Sequence, residues 1–329
     1  MLRPALGALL AVGCWVCAGV LPAQTTLPAQ NPLPTETAMP VETTMPANLE
    51  PIAMNGLDPY AQPAAYSQTG MMSVVSDPRW RLDLFPAGLI YRPYLAGPKE
   101  SRTSLQLVNS NGSSLADASI GGHWGLLRYG TLTDAFPKGI QLGLEGSAQL
   151  RFSSLGRFDF LTTDYRFGIP LSFSHSNHQT KFGLYFMRTH PSDGLWDRIK
   201  SLFDDEFFER KSVVLGHSID ITNRFRIYGE ADYAYSTQVS DPWSFQFGAE
   251  YAPVCPTGML GAPFLAANGY LREEVDFGGT FTLQGGWAWR KSRGRLWRLG
   301  LHYANGKSNH FALHDFHEQQ FGFGIWHDY

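Results

Sequence analysis

The segment Ile140 to Phe152, I-Q-L-G-L-E-G-S-A-Q-L-R-F, constrains the fold more than any other part of this chain. Ile140, Leu142, Leu144, Ala148, Leu150 and Phe152 fall on one parity. Gln141, Glu145, Ser147, Gln149 and Arg151 fall on the other. Only an extended strand has a side-chain period of two, so the segment carries one apolar face and one charged face. At roughly 3.3 Å per residue it is longer than most soluble strands. A transmembrane β-strand needs about 9–11 tilted residues, and this one is long enough to cross a bilayer.

The same two-faced pattern recurs. Phe225, Ile227, Ala231, Tyr233 and Tyr235 oppose Arg224, Arg226, Glu230 and Asp232. Trp243, Phe245, Phe247, Ala249 and Tyr251 oppose Ser244, Gln246, Gly248 and Glu250. Strands are expected at 103–109, 118–129, 139–152, 158–173, 180–190, 212–222, 224–236, 243–252, 262–273, 277–290, 295–304 and 318–329. If the first runs outward, the two longest connections, 191–211 and 305–317, fall on the outer side. The turns near Asn223 and Lys291 fall on the inner side and are short, the asymmetry of outer-membrane barrels. The segment 193–209 reads as a short amphipathic helix, with Trp196, Ile199, Leu202 and Phe203 placed to cap the barrel mouth or touch lipid headgroups. The chain ends F-G-F-G-I-W-H-D-Y, like the terminal strand of bacterial outer-membrane barrels. There the aromatic end, here Tyr329, helps the insertion machinery recognise the chain.

Residues 1–23 read as a secretory signal: Arg3, then no charge from Ala5 to Leu21, with cuts available after Ala18 or Ala23. A membrane-anchor helix is the alternative; the run is slightly short for one, and Pro22 ends it. Residues 24–70, rich in Pro, Thr, Ala and Gln, bury too little apolar surface to offset their ordering entropy and read as a disordered linker. Residues 71–102 are apolar enough to order, but Pro86, Pro93 and Pro98 forbid a continuous helix or central strand. They are expected to dock against the rest of the chain, at the periplasmic end of a barrel occupying 103–329. Once the signal is removed only Cys255 remains, which excludes an intrachain disulfide or a CxxC metal site. A net charge of −3 gives no argument for nucleic acid. A secreted β-sandwich shares the alternation, with the charged set as its outer surface. Strand length, the aromatic tail and the loop asymmetry favour the barrel.

Three segments resemble an uncharacterised bacterial family, the domain of unknown function 1207. They are L-I-Y-R-P-Y-L-A-G-P-K-E-S-R at 89–102, G-A-P-F-L-A-A-N-G-Y-L-R-E-E-V-D-F-G-G at 261–279, and H-Y-A-N-G-K-S at 302–308. The resemblance implies an exported, barrel-like protein and brings no activity.

Chemistry is sparse. His302-Tyr303-Ala304-Asn305-Gly306 resembles the H-x-S-N(-G) motif of outer-membrane phospholipase A and lipid A deacylases, in which a serine attacks a lipid ester with the histidine as base. Ala304 stands where the nucleophile belongs, His302 lies off the apolar parity, and Ser308 substitutes only through a sharp loop reversal. Asn-Gly is otherwise a common turn signal. His314 and His317 flank Asp315 and are the candidate metal ligands, although loop histidines explain the cluster as well. Glu145, Arg151, Asp164, Arg166, Arg224, Arg226, Glu230, Asp232, Glu250 and Arg290 are expected to line a lumen, as ion pairs that fill it or as a selectivity surface. The composite expectation is an all-β chain, a transmembrane antiparallel β-barrel of about twelve strands in the outer membrane of a Gram-negative-type bacterium. It acts as a passive pore for small solutes or a structural membrane protein, with a lipid-acting hydrolase as the alternative. Outer-membrane lipid and the barrel-insertion machinery are its expected partners. No cofactor and no nucleic acid is expected, and oligomeric state is left open.

Overall fold

The computed structural model describes residues 80–131, 136–153, 159–200, 208–238, 240–292 and 294–328. The expected signal (1–23), the linker (24–70), residues 71–79 and Tyr329 lie outside the described residues. The elements are β1 (Arg81–Leu84), β2 (Thr103–Ser110), β3 (Ser113–Gly130), β4 (Gly139–Ser153), β5 (Asp159–His175), β6 (His178–Pro191), helix α1 (Asp193–Ile199), β7 (Phe208–Asp220), β8 (Phe225–Thr237), β9 (Trp243–Tyr251), β10 (Ala262–Arg272), β11 (Gly279–Arg290), β12 (Leu296–Lys307) and β13 (His317–Asp328). From β2 to β13 each strand pairs with its chain neighbour, and β13 returns to pair with β2. The result is a closed antiparallel barrel of twelve strands, as the alternation requires. Closure leaves no strand edge in the ring unpaired along its whole length.

The two faces are sorted inside out. Along β5, Tyr165, Phe167, Ile169, Leu171 and Phe173 are 44–48% exposed, while Asp164, Arg166, Ser172 and Ser174 are 8% exposed or less. On β4 the same parity puts Ile140 and Leu142 outside and Glu145, Gln149 and Arg151 inside. Large apolar groups face outward and charges are buried, the opposite of a water-soluble sandwich. A β-bulge at Leu126 resets parity along β3. Before it Ile120 and Trp124 face out; after it Leu127 and Tyr129 do. One extra residue shifts every following side chain to the other face.

Two strands begin well before the sequence expectation. Strand β3 begins at Ser113 because the hairpin is only Asn111-Gly112, both with positive φ (50° and 85°). That is the two-residue turn that Asn-Gly favours, since glycine carries no Cβ to clash there. Strand β7 begins at Phe208 rather than 212, because Arg210 points inward to Asp232 at 2.8 Å. The helix α1 is short, with the Ser192 hydroxyl accepting from the Leu195 N–H at 3.2 Å. Leu195 and Ile199 bury against Ala312, so the two long connections pack on each other. Leu202 and Phe203 lie outside the described residues.

The segment after β1 has the largest consequence. β1 and β2 pair with the same strand, Leu84 opposite Leu127 and Ser104 opposite Ser119, both antiparallel. They are in effect one wall position interrupted by residues 86–102. That interruption turns into the lumen instead of docking at the periplasmic end. Pro86, Pro93 and Pro98 keep it out of any ladder, since proline has no N–H to donate. Tyr91, Tyr94, Leu95, Lys99, Glu100 and Arg102 are all buried within the barrel.

Candidate functional site

The inward residues of many strands converge on this in-turned segment. At one end the Arg92 guanidinium pairs with Asp220 of β7. Arg226 of β8 donates to the Arg92 carbonyl at 2.9 Å and pairs with Glu250 of β9 at 3.3 Å; Glu250 accepts the Leu95 N–H at 3.0 Å. Arg128 of β3 donates to the Ala87 and Gly88 carbonyls at 3.1 and 2.9 Å. In the middle, the Tyr94 hydroxyl donates to Glu230 at 2.9 Å, and Lys181 of β6 pairs with Glu230 at 2.7 Å. The Lys181 ammonium sits about 5.1 Å from the ring centres of both Tyr91 and Tyr94. His123 lies 2.9 Å from Glu145 and 3.9 Å from Glu100, and Arg166 bonds Glu145 at 3.1 Å. Arg166 also stacks over Tyr185, whose ring lies flat on the wall where Gly168 and Gly183 leave room. A Cβ on either glycine would collide with that ring.

Toward the other end, Lys99 pairs with Asp164 of β5 at 2.5 Å, and the Thr189 hydroxyl donates to the same carboxylate at 2.6 Å. Arg151 of β4 holds Asp117 at 2.6 Å and Glu318 at 2.5 Å. Arg298 pairs with Asp328 at 2.8 Å and donates to the Leu95 carbonyl at 3.1 Å; Arg102 lies 3.4 Å from Asp328. A small apolar cluster of Leu95, Ala96, Phe264, Ala266, Ala288 and Trp326 completes the packing. Burial pushes the Tyr91 phenol up to about 12 and raises the Glu100 carboxyl above the usual carboxylate range. Cavities beside the segment among the described residues include four small ones, ≈ 70, ≈ 20, ≈ 20 and ≈ 10 Å³. The first holds a few waters and the last at most one.

Of the expected lumen residues, Glu145, Arg151, Asp164, Arg166, Arg226, Asp232 and Glu250 are buried inside. Glu230 reaches Lys181 and Tyr94 there. Arg290 is half-buried, donating to the Pro253 and Gly294 carbonyls at 2.6 Å. Arg224 is a correction. It belongs to the turn before β8, is exposed, and donates to the Tyr251 hydroxyl at 3.2 Å on the outer face. Its parity is inward, but the ladder starts one residue later. Sequence reasoning missed the partners contributed by the in-turned segment, Arg92, Tyr94, Lys99, Glu100 and Arg102. The available signal was three prolines interspersed with Tyr, Arg and Lys. Such a segment is too charged for a core and too apolar for a linker.

The hydrolase candidates do not assemble. His302 faces the lumen, with its Nδ1 3.3 Å from the Gln284 amide. Asn305 sits exposed on the opposite face of β12, and buried Ser308 receives Arg151 at 3.4 Å. Among the metal candidates, His314 is buried with its Nδ1 2.8 Å from the Phe311 carbonyl, whereas His317 is exposed. Among the described residues no group of three His, Cys, Asp or Glu could hold a metal ion.

Solved structures that resemble this chain include outer-membrane proteins. The KdgM porin superposes with a TM-score of 0.40 at 7% identity, covering 69% of this chain and 98% of its own. Outer membrane phospholipase A from Escherichia coli gives 0.48 at 12% identity, covering 71% and 97%. The Salmonella typhi outer membrane phospholipase gives 0.45 at 12%, covering 69% and 90%. No curated protein matches the chain in sequence. The sequence model of a family described as a protein of unknown function, DUF1207, matches residues 63–329, and this chain belongs to that family.

Proposed function

We propose that the protein is an integral outer-membrane barrel, sealed at rest, that serves as a structural membrane protein and not as a permanently open pore. The observation that carries this is the double sorting of side chains. The outer face is a belt of exposed Leu, Ile, Phe and Trp, which only lipid solvates well. The inner face is charged, and residues 86–102 occupy it with ion pairs and backbone bonds. In this reading the apolar face meets outer-membrane lipid, and β13 with its aromatic end is the strand offered to the insertion machinery. A lipid-acting hydrolase is not favoured, because the histidine and asparagine lie on opposite faces and alanine stands at the nucleophile position.

Refolding into vesicles tests the reading. The mature chain is expected to require detergent or lipid, to float with vesicles after alkaline extraction, and to give no discrete current steps in a planar bilayer. A folded, monodisperse protein in detergent-free buffer would remove the membrane assignment. Steady open steps from the unmodified chain would remove the seal.

A further inference from the structure

We infer that residues 86–102 are a displaceable gate, and that their withdrawal converts the barrel into a pore preferring small hydrophilic cations. The inference rests on the membrane-barrel reading above and adds an activity to it. Three observations carry it.

First, the segment is not part of the ring. β2 to β13 close without it, and both its ends attach to one strand, β3, at Leu84 opposite Leu127 and Ser104 opposite Ser119. It can leave the lumen without breaking a barrel pairing.

Second, it is held mainly by polar contacts, which water can replace. Among the described residues, apolar packing is confined to Leu95 and Ala96 against Phe264 and Trp326 and to Tyr91 and Tyr94 against Tyr228. Its polar anchors include Arg92 to Asp220, Tyr94 to Glu230, Lys99 to Asp164, the Arg128 and Arg226 bonds to its carbonyls and the backbone bonds at Leu95. The ≈ 70 Å³ cavity lies between Ala96–Arg102 and the walls of β2, β3, β4, β11, β12 and β13. Among the described residues, buried polar atoms of its lining that have no hydrogen-bond partner include Trp326 Nε1, Thr282 Oγ1 and Asn309 Oδ1. Such atoms are satisfied by water, so the segment already runs beside a polar space.

Third, the charges are divided unequally between segment and wall. The segment carries Arg92, Lys99 and Arg102 against the single acid Glu100. Each cation faces a wall carboxylate: Asp220, Asp164 and Asp328. Withdrawal leaves Asp328 with Arg298 at 2.8 Å. It leaves Asp164 with the Thr189 hydroxyl at 2.6 Å and with His310 at 3.6 Å. It leaves Asp220 with the Gln179 amide at 2.8 Å. Asp164 and Asp220 each lose the cation nearest to them and then line the lumen. Rings of acidic side chains select cations in a narrow, low-dielectric pore.

The test uses two full-barrel variants beside the wild type, each first checked for vesicle flotation and heat-shifted gel mobility. In one, residues 86–102 are replaced by a Gly/Ser linker of about eight residues, enough to span the gap at ~3.3 Å per residue. In the other the whole chain is kept, with Arg92→Ala and Lys99→Ala. The deletion is expected to give stable current steps and the double substitution brief ones. In a potassium chloride gradient the reversal potential should move toward that of potassium. Inserted variants that stay electrically silent, or that conduct with anion preference, overturn the gate. If the deletion fails to insert, the double substitution alone decides. A wild type that fails to insert overturns the membrane reading instead, so the two failures are distinguishable.

Discussion

Arg151 shows how single residues hold this interior. Its guanidinium is buried at 1% exposure and shared between Asp117 of β3 and Glu318 of β13. Breaking a buried pair strands its partners, at about 3–5 kcal/mol, against roughly 0–1 kcal/mol for an exposed pair. Arg151→Ala is therefore expected to lower stability by ~3–5 kcal/mol, read from urea midpoints in vesicles. Adding Asp117→Asn and Glu318→Gln should recover part of that loss. A loss below ~1 kcal/mol would mean that these charges are solvated. His310, in the connection between β12 and β13, gives a pH signature. Burial pushes its imidazole down to about 4, Arg151 adds to this, and Asp164 and Asp117, at 3.6 and 3.8 Å, oppose it. The unfolded chain, with an ordinary histidine near 6.5, takes up the proton first. Its contribution is thus present above that value and is lost as pH falls toward 4. His310→Gln should flatten the urea midpoint between these pH values relative to wild type. An unchanged slope would place the proton uptake elsewhere.

At the level of elements, α1 ties the two long connections together. Leu195 and Ile199 pack on Ala312, and Ser192 caps the first turn, a contact worth about 1 kcal/mol. Leu195→Asp buries a charge there. It is expected to speed tryptic cleavage at Arg198 and Lys200 several-fold while the strand signal in circular dichroism stays constant. Unchanged cleavage would mean that the helix is not held by this contact. The strands were legible in the sequence because burial on one face only imposes a period of two. What escaped was set by partners outside each strand's own sequence. Ser113, Ser114 and Asp117 have low strand propensity and read as a turn, but Ser113 and Ser114 pair with Ser110 and Asn109 of β2, and Asp117 with Arg151 of β4, which holds them in the ladder. Arg210 reads as loop until Asp232 is placed beside it. Arg224 reads as lumen because parity says nothing of where a ladder starts. Residues 86–102 were legible as ordered and non-strand. Their place inside was not, because their partners come from strands up to about two hundred residues away, as with the bond from Arg298 to the Leu95 carbonyl.

The whole molecule is one geometry: a ring of strands apolar outside, with a charged interior closed by its own upstream segment. Twelve strands enclose a lumen only modestly wider than the eight-stranded kind that side chains alone fill. An added segment of chain is therefore enough to fill it. The sorting of faces is the claim on which gate, seal and membrane assignment all depend, and β5 displays it most regularly. Single spin labels at positions 169, 171 and 173, and separately at 172 and 174, in a Cys255→Ser chain refolded into vesicles, measure it directly. Labels replacing Ile169, Leu171 and Phe173 should be relaxed by oxygen dissolved in the bilayer. Labels replacing Ser172 and Ser174 should be shielded from it. Equal relaxation of both sets by a water-soluble agent would contradict the account.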